Sequence, residues 1–421
     1  MKYILRRIKM SDDNKRIVLI SLIGKGQQGD KGYRKAEYFF DETQEAISTS
    51  FFGSALYRTL KKLGHNIEQW IIVGTAQSNW SELLSTIEDK LHDKAHPDNL
   101  LKLWEEVYQQ EKDGISEKLL KEWESLLQND LPGVRLLMVD PLKHAIYLNT
   151  MLNEVTDKKC KVVLDITHSF RHMPVMIAFS LMVLRYIKNI SDVTIYYGAF
   201  DMKYFMDNPH KDYVPVIKIE FGTQLISLAE SLATFNDSAY FVDLLSLMDI
   251  PGTDDTYFLL EMNRQPRSKL TEITQKLNEI SEGDDYRAAI ARYLHKEIKP
   301  LLESTLDKRM VERAKFFFAR KQYLKALILL YEGMIIGIGR KHGFTNYMHY
   351  GEREQIRSFI KSNTQRVFMD QDQKELFYKI EYTRNAAVHG SVSRGTQDTL
   401  EKIERFEELF VEGVKLYDSI V

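Results

Sequence analysis

Five short apolar runs punctuate the first half of the chain. They are Arg16–Gly24 (RIVLISLIG), Ile67–Gly74 (IEQWIIVG), Val134–Asp140 (VRLLMVD), Lys161–Thr167 (KVVLDIT) and Asp192–Phe200 (DVTIYYGAF). Rich in β-branched residues and ending at glycines or polar loops, they predict buried strands. Each of the first four is followed, after a loop, by a segment with helical periodicity, such as SALYRTLKKLG from Ser54 and MPVMIAFSLMVLRYIKN from Met173. Strands apolar on both faces and alternating with helices predict a mostly parallel sheet covered on both sides. The stretch from Trp80 to Asn129 reads as a helical elaboration between strands.

Beyond Phe221 the strand signal nearly vanishes and helical periodicity dominates. It is broken at Pro251–Gly252, at Gly283–Asp285 and around Pro300. The apolar-periodic run KQYLKALILLYEGMIIGIGR ends at Arg340. The pattern predicts a Rossmann-like α/β domain over residues 12 to about 222, a helical connector over 223–300, and an all-helical domain from 301 to 421. No internal repeat or low-complexity tract is visible.

The length of 421 residues fits two or three domains, and 44% hydrophobic with 28% charged residues is ordinary for a globular chain. The formal net charge of −2 lacks the basic excess of a protein that coats duplex DNA, so no DNA partner is expected. With Cys160 as the single cysteine, an intrachain disulfide or thiolate cluster is excluded, and a reducing cytoplasm fits. No run is long and apolar enough for a bilayer. The opening MKYILRRIKM is basic but lacks the apolar run and cleavage site of a signal peptide.

Two regions carry candidate chemistry. Near the C-terminus, EYTRNAAVHG places Arg384, Asn385 and His389 together. RNA is cut without metal when its own 2′-hydroxyl attacks the neighbouring phosphate. Histidine moves protons near neutral pH, and arginine offers a permanent planar cation to the developing phosphoryl charge. Five helical steps turn about 500°, leaving the two side chains about 140° apart. Convergence therefore asks for His389 near a helix end, where Gly390 fits, or for two copies meeting across a twofold axis.

In the first half, polar loops follow the predicted strands, at the edge where open α/β sheets bind ligands. The loop Leu164-Asp-Ile-Thr-His-Ser-Phe-Arg-His-Met-Pro174 offers the hydroxyls of Thr167 and Ser169, the imidazole of His168 and the guanidinium of Arg171, beside the start of a helix. That set suits an anion such as phosphate. Gly24-Lys-Gly26-Gln-Gln-Gly29 has the glycine spacing of a dinucleotide site. Asp30-Lys-Gly-Tyr-Arg-Lys35 follows without an apolar helical face, and the next strand ends in Val73-Gly74-Thr75 without an acidic residue for a ribose, so nicotinamide binding is rejected. His168/His172 and His92/His96 are spaced for a metal on a helix. No third ligand is evident beyond Asp165 or Asp93, and no metal is expected.

Asp165 to Arg171 resembles the ligand loop of CARF domains, the CRISPR-associated Rossmann-like sensors of cyclic oligoadenylates. Gly74-Thr75 with Ser78 and Trp80 is similar to the loop after their second strand, and Ser21–Gly26 to that after their first. Arg384, Asn385 and His389 match the HEPN ribonuclease motif of arginine, a polar residue, three variable residues and histidine. Together they resemble the CARF–HEPN ribonucleases of type III CRISPR systems. The resemblance implies a CARF domain over 12–222 and an all-α HEPN domain over 301–421. It also implies a homodimer or higher homo-oligomer, switched on allosterically by a cyclic oligoadenylate, with cyclic tetra-adenylate favoured. The substrate so implied is single-stranded RNA, cut without a cofactor. Gly24, Lys25, Gly26, Thr75, Ser78, Trp80, Asp165, Thr167, His168, Ser169, Phe170 and Arg171 are the expected ligand-binding residues, and Arg384, Asn385 and His389 the catalytic ones. Two other functions stay open: a cyclic-nucleotide sensor without catalysis, and a ring nuclease that degrades its own ligand.

Overall fold

The computed structural model describes residues 16–26, 34–87, 98–206, 210, 212–391 and 395–421. The basic opening segment, Gln27 to Gly29, and His92, Asp93 and His96 lie outside the described residues. The chain divides into two compact units, Met1–Ile226 and Ser227–Val421.

Among its described residues the first unit has eight strands: β1 (Arg16–Leu22), β2 (Ala36–Phe40), β3 (Glu45–Thr49), β4 (Asn66–Gly74), β5 (Val134–Met138), β6 (Cys160–Asp165), β7 (Ile190–Gly198) and β8 (Val214–Lys218). They form one sheet in the order β3-β2-β8-β7-β6-β1-β4-β5. The five strands expected from the apolar runs form its parallel part, β5-β4-β1-β6-β7. The sequence pattern did not reveal β2, β3 and β8, which add antiparallel pairs at β2/β3 and β7/β8. These strands are short, and β8 contains Pro215, a residue that argues against a strand interior. The described chain resumes at Arg34 and enters β2 at Ala36.

Alternation along β1 explains its continuous hydrophobicity. Ile17 and Leu19 face one core layer, built with α1 (Phe52–Lys62), a 3₁₀ turn at Trp80–Thr86, α2 (Asp98–Gln110) and α3 (Glu117–Leu127). Val18, Ile20 and Leu22 face the other, built with α4 (Ala145–Glu154) and α5 (His172–Ile187). The described elements of the Trp80–Asn129 stretch are thus helical and cover one sheet face.

The rest of the chain is almost wholly helical. It comprises α6 (Glu220–Ser238), which crosses the unit boundary, α7 (Val242–Leu247), α8 (Thr253–Glu261), α9 (Arg267–Ser281), α10 (Tyr286–Ile298) and α11 (Leu306–Phe318). Then come α12 (Tyr323–Lys341), α13 (Tyr350–Ser362), α14 (Thr364–Val367), α15 (Gln371–His389), α16 (Gln397–Glu401) and α17 (Ile403–Ile420). Helix α12 is buried continuously from Leu329 to Gly339, as expected of a helix apolar on every side. Around it, Leu245, Leu277 and Leu294 share one core with Met310, Ile380 and Leu409, so from Ser227 onward the expected connector packs into the same unit as the C-terminal helices. Buried Asp307 joins three helices: it accepts two hydrogen bonds from Arg340 (3.1 and 3.0 Å) and one from the Tyr417 hydroxyl (2.7 Å).

Candidate functional site

In the first unit the chain moves outward from β1 in both directions along the sheet, so β1 and β6 flank a topological switch point, where open α/β sheets leave a crevice at the carboxyl edge. The loops after β1 and β6 nearly touch here. A Cβ on Gly24 would lie 3.1 Å from the Ser169 Cα and 3.3 Å from the His168 carbonyl oxygen, so any larger residue would push the loops apart.

The loop after β4 is stapled to the loop after β1. Ser78 Oγ accepts the Thr75 N–H and donates to the Ile23 carbonyl, both at 2.8 Å. Asn79 N–H donates to the Gly24 carbonyl (2.9 Å), and its Oδ1 accepts the Gly26 N–H (2.7 Å). Trp80 donates its indole N–H to the Thr75 carbonyl (3.0 Å). Ser78 and Trp80 are buried and shape the loops from beneath. Asn79 went unnoticed in the sequence, since its pairing with Gly24 and Gly26 spans more than fifty residues.

The loop after β6 divides in the same way. Asp165 is fully buried and accepts the Thr167 N–H (2.8 Å), and Thr167 Oγ1 accepts the Gly198 N–H (2.9 Å). His168 Nε2 accepts the Phe52 N–H (3.2 Å), and burial pushes its pKa down to about 4. The ring is therefore neutral at physiological pH and supplies no cation. Lys25, Phe170 and Arg171 are exposed, with Gly26, Thr75 and Ser169 half-buried beside them. Phe170 stacks on His172 with centroids 6.2 Å apart. The groups that meet solvent thus offer two cations, an aromatic face, hydroxyls and backbone. Among the described residues no group of three or more His, Cys, Asp or Glu side chains could hold a metal.

Burial pushes Asp165 up to about 7, against hydrogen bonds from Thr167 and Ser21. A carboxyl whose folded pKa exceeds its unfolded value binds protons more readily when folded, so its contribution is fully present below about pH 4 and is lost as pH rises through about 7. His168 acts in the opposite sense. We therefore expect Asp165→Asn to gain stability relative to the wild type as pH rises from 4 to 7.5, measured by urea unfolding at each pH. A constant difference would contradict the shift.

In the second unit, α15 carries the arginine–histidine motif. His389 is its last residue, exposed, and Gly390 caps the helix in the left-handed region at φ 60°, a conformation that favours glycine. Arg384 turns inward. Its Nη1 donates to Asn385 Oδ1 (2.9 Å), its Nη2 pairs with Glu332 of α12 (3.4 Å), and its guanidinium lies 5.5 Å from the centre of the Tyr331 ring. Nearly buried Glu332 also pairs with Arg353 (2.6 Å) and Arg357 (3.2 Å) of α13. One carboxylate therefore holds three guanidinium groups. The braced arginine and exposed histidine sit on different sides of one helix, so the motif presents two separate halves. Glu332, Arg353 and Arg357 were not singled out in the sequence; the available signal was Glu332, a lone charge inside an apolar helix, which requires a partner.

Residues 18–209 match the family described as CRISPR system endoribonuclease Csx1, CARF domain. The chain is also similar to CRISPR-associated protein MJ1674 of Methanocaldococcus jannaschii, 25% identical over 416 residues that take in 90% of this chain. The alignment spans 63% of that relative's length. No described helix is long and apolar enough to cross a membrane. The matched region coincides with the α/β unit whose loops Asp165–Arg171 and Thr75–Trp80 meet at the switch point. The first unit is a CARF domain, and the chain is a CARF-containing protein similar to a CRISPR-associated one.

Proposed function

We propose that this protein is an endoribonuclease of CRISPR antiviral defence, switched on by a cyclic oligoadenylate at the CARF loops and cutting single-stranded RNA, without metal, at the C-terminal helical unit of HEPN type. The observation that carries this reading is the pairing, in one chain, of a CARF loop edge presenting Lys25 and Arg171 with a helix end presenting His389 beside a braced Arg384. In the reaction the RNA 2′-oxygen bonds to the adjacent phosphorus and the bond from phosphorus to the 5′-oxygen breaks. His389 moves the proton, and Arg384 stabilises charge on the phosphoryl oxygens. The products carry 2′,3′-cyclic phosphate and 5′-hydroxyl ends.

The separation of Arg384 from His389 on one helix favours a composite site made by two copies. An exposed apolar stripe on α5, with Val175, Phe179, Val183 and Tyr186 at helical spacing, suits pairing of two such chains through their CARF domains. The enzyme acts in the cytoplasm. Ring binding shifts the pair between two states by its differential affinity for them, with cyclic tetra-adenylate the favoured ring.

The test is RNA cleavage by the purified protein in EDTA, with and without each cyclic oligoadenylate. Cutting with one ring only identifies the activator and the metal-free chemistry together. Tight ring binding without cutting would replace this function by that of a sensor, and loss of the ring itself by that of a ring nuclease. Arg171→Ala removes a charge-assisted contact to the ring and raises the activator concentration for half-maximal cutting by about tenfold or more. An unchanged activation curve would remove Arg171 from the pocket.

A further inference from the structure

Helix α15 runs unbroken from Gln371 to His389. At about 100° per residue, Tyr378, Tyr382, Asn385 and His389 fall within a sector of about 60° on that helix. Tyr382 is 52% exposed, and its ring stacks on that of half-buried Tyr378 with centroids 6.1 Å apart and an interplanar angle of 23°. The two rings form a short ladder along the stripe that ends in the exposed histidine.

Charged groups of both signs flank this ladder. Tyr378 sits at the seam of α12, α13 and α15 beside Arg357, Lys361 and Glu381. Lys361 is exposed, and exposed Lys379 lies on α15 one turn before Tyr382. Glu381 accepts the Tyr331 hydroxyl hydrogen bond (2.7 Å) and Arg357 is engaged by Glu332 and Glu354, while Lys361 and Lys379 face solvent near the rings. Aromatic faces flanked by lysines are the means by which proteins hold unpaired nucleotides: bases stack on the rings and phosphates meet the cations.

We propose that Tyr382, backed by Tyr378, is a base-stacking platform that seats an unpaired nucleobase of the RNA next to the scissile phosphate. Tyr382 lies seven residues, about 10 Å along the axis, from His389, a span of one to two nucleotides. The stripe is continuous with the histidine, which favours RNA over a second protein chain as its occupant. The platform accepts any base, since every base has a π-face, and it selects single strands because a paired base is not available to stack. This inference rests on the ribonuclease reading of the same helix.

The experiment measures binding of a fluorescent single-stranded RNA to the full-length His389→Ala chain with the activating ring present, and compares Tyr382→Ala, Tyr382→Phe and Tyr382→Trp in that background. Tyr382→Ala is expected to weaken binding about tenfold, the loss of one stacked base, while Phe and Trp keep it. An RNA lacking the base at the stacked position should bind the parent and Tyr382→Ala chains equally. In the cleaving chain the same loss should fall mainly on KM. Unchanged binding by Tyr382→Ala, or Phe and Trp behaving like Ala, overturns the platform. So does a fall in oligomer mass for Tyr382→Ala, which would make the stripe a face between copies. If His389→Ala still cuts RNA, the catalytic assignment fails while the binding series continues to judge Tyr382. RNA neither bound nor cut by the wild type overturns both.

Discussion

His389→Ala is expected to lower ring-activated RNA cutting by at least about 10²-fold, the scale of losing a positioned proton-transfer group, while leaving binding of the cyclic oligoadenylate unchanged. The side chain is exposed at the end of α15 and the helix cap is made by Gly390, so alanine removes the imidazole with little consequence for packing. Single-turnover cleavage in EDTA, paired with calorimetry of ring binding, reads the two effects separately. Cutting at the wild-type rate would refute the role of His389. A parallel loss of ring binding would show that the substitution disturbs more than the site.

The second large effect is expected at Glu332. Its side chain is 6% exposed and pairs with Arg353, Arg357 and Arg384. Glu332→Gln leaves the partly buried guanidinium groups of Arg353 and Arg384 short of a counter-charge, while Arg357 keeps Glu354. Breaking a buried pair from one side costs about 3–5 kcal/mol; with the arginines about one-fifth exposed, the lower end applies. Urea unfolding should show a loss of about 3 kcal/mol. Cutting should fall further than stability explains, because Arg384 loses the partner that fixes its fork. The double variant Glu332→Gln/Arg353→Gln restores part of the charge balance. It is expected to recover stability but not activity, which separates the structural part of Glu332 from its hold on Arg384. Full recovery of both would reduce the cluster to a structural one.

What the sequence by itself determined follows from local physics. Strands β1, β4, β5, β6 and β7 were legible because strands buried on both faces must be apolar throughout, and the helical second half because its periodicity persists between clear breaks. The string Asp165–Arg171 and the triplet Arg384, Asn385 and His389 stood out as candidates because their chemistry is contiguous in the chain. The short strands β2, β3 and β8 were not: their pairing comes from distant partners, as where Phe39 meets Pro215.

Tertiary structure alone decided which polar groups face inward. Ser78, Asp165, Thr167 and His168 look alike in sequence to Ser169 and Arg171. Their hydrogen bonds are set by Ile23, Ser21, Gly198 and Phe52, residues brought near only by the sheet. His168 is a neutral brace rather than a cation because burial disfavours its charged form. Arg384 is likewise held by a carboxylate fifty-two residues earlier in the chain. A side chain's type is written in the sequence, whereas its charge, direction and accessibility depend on what the fold packs against it.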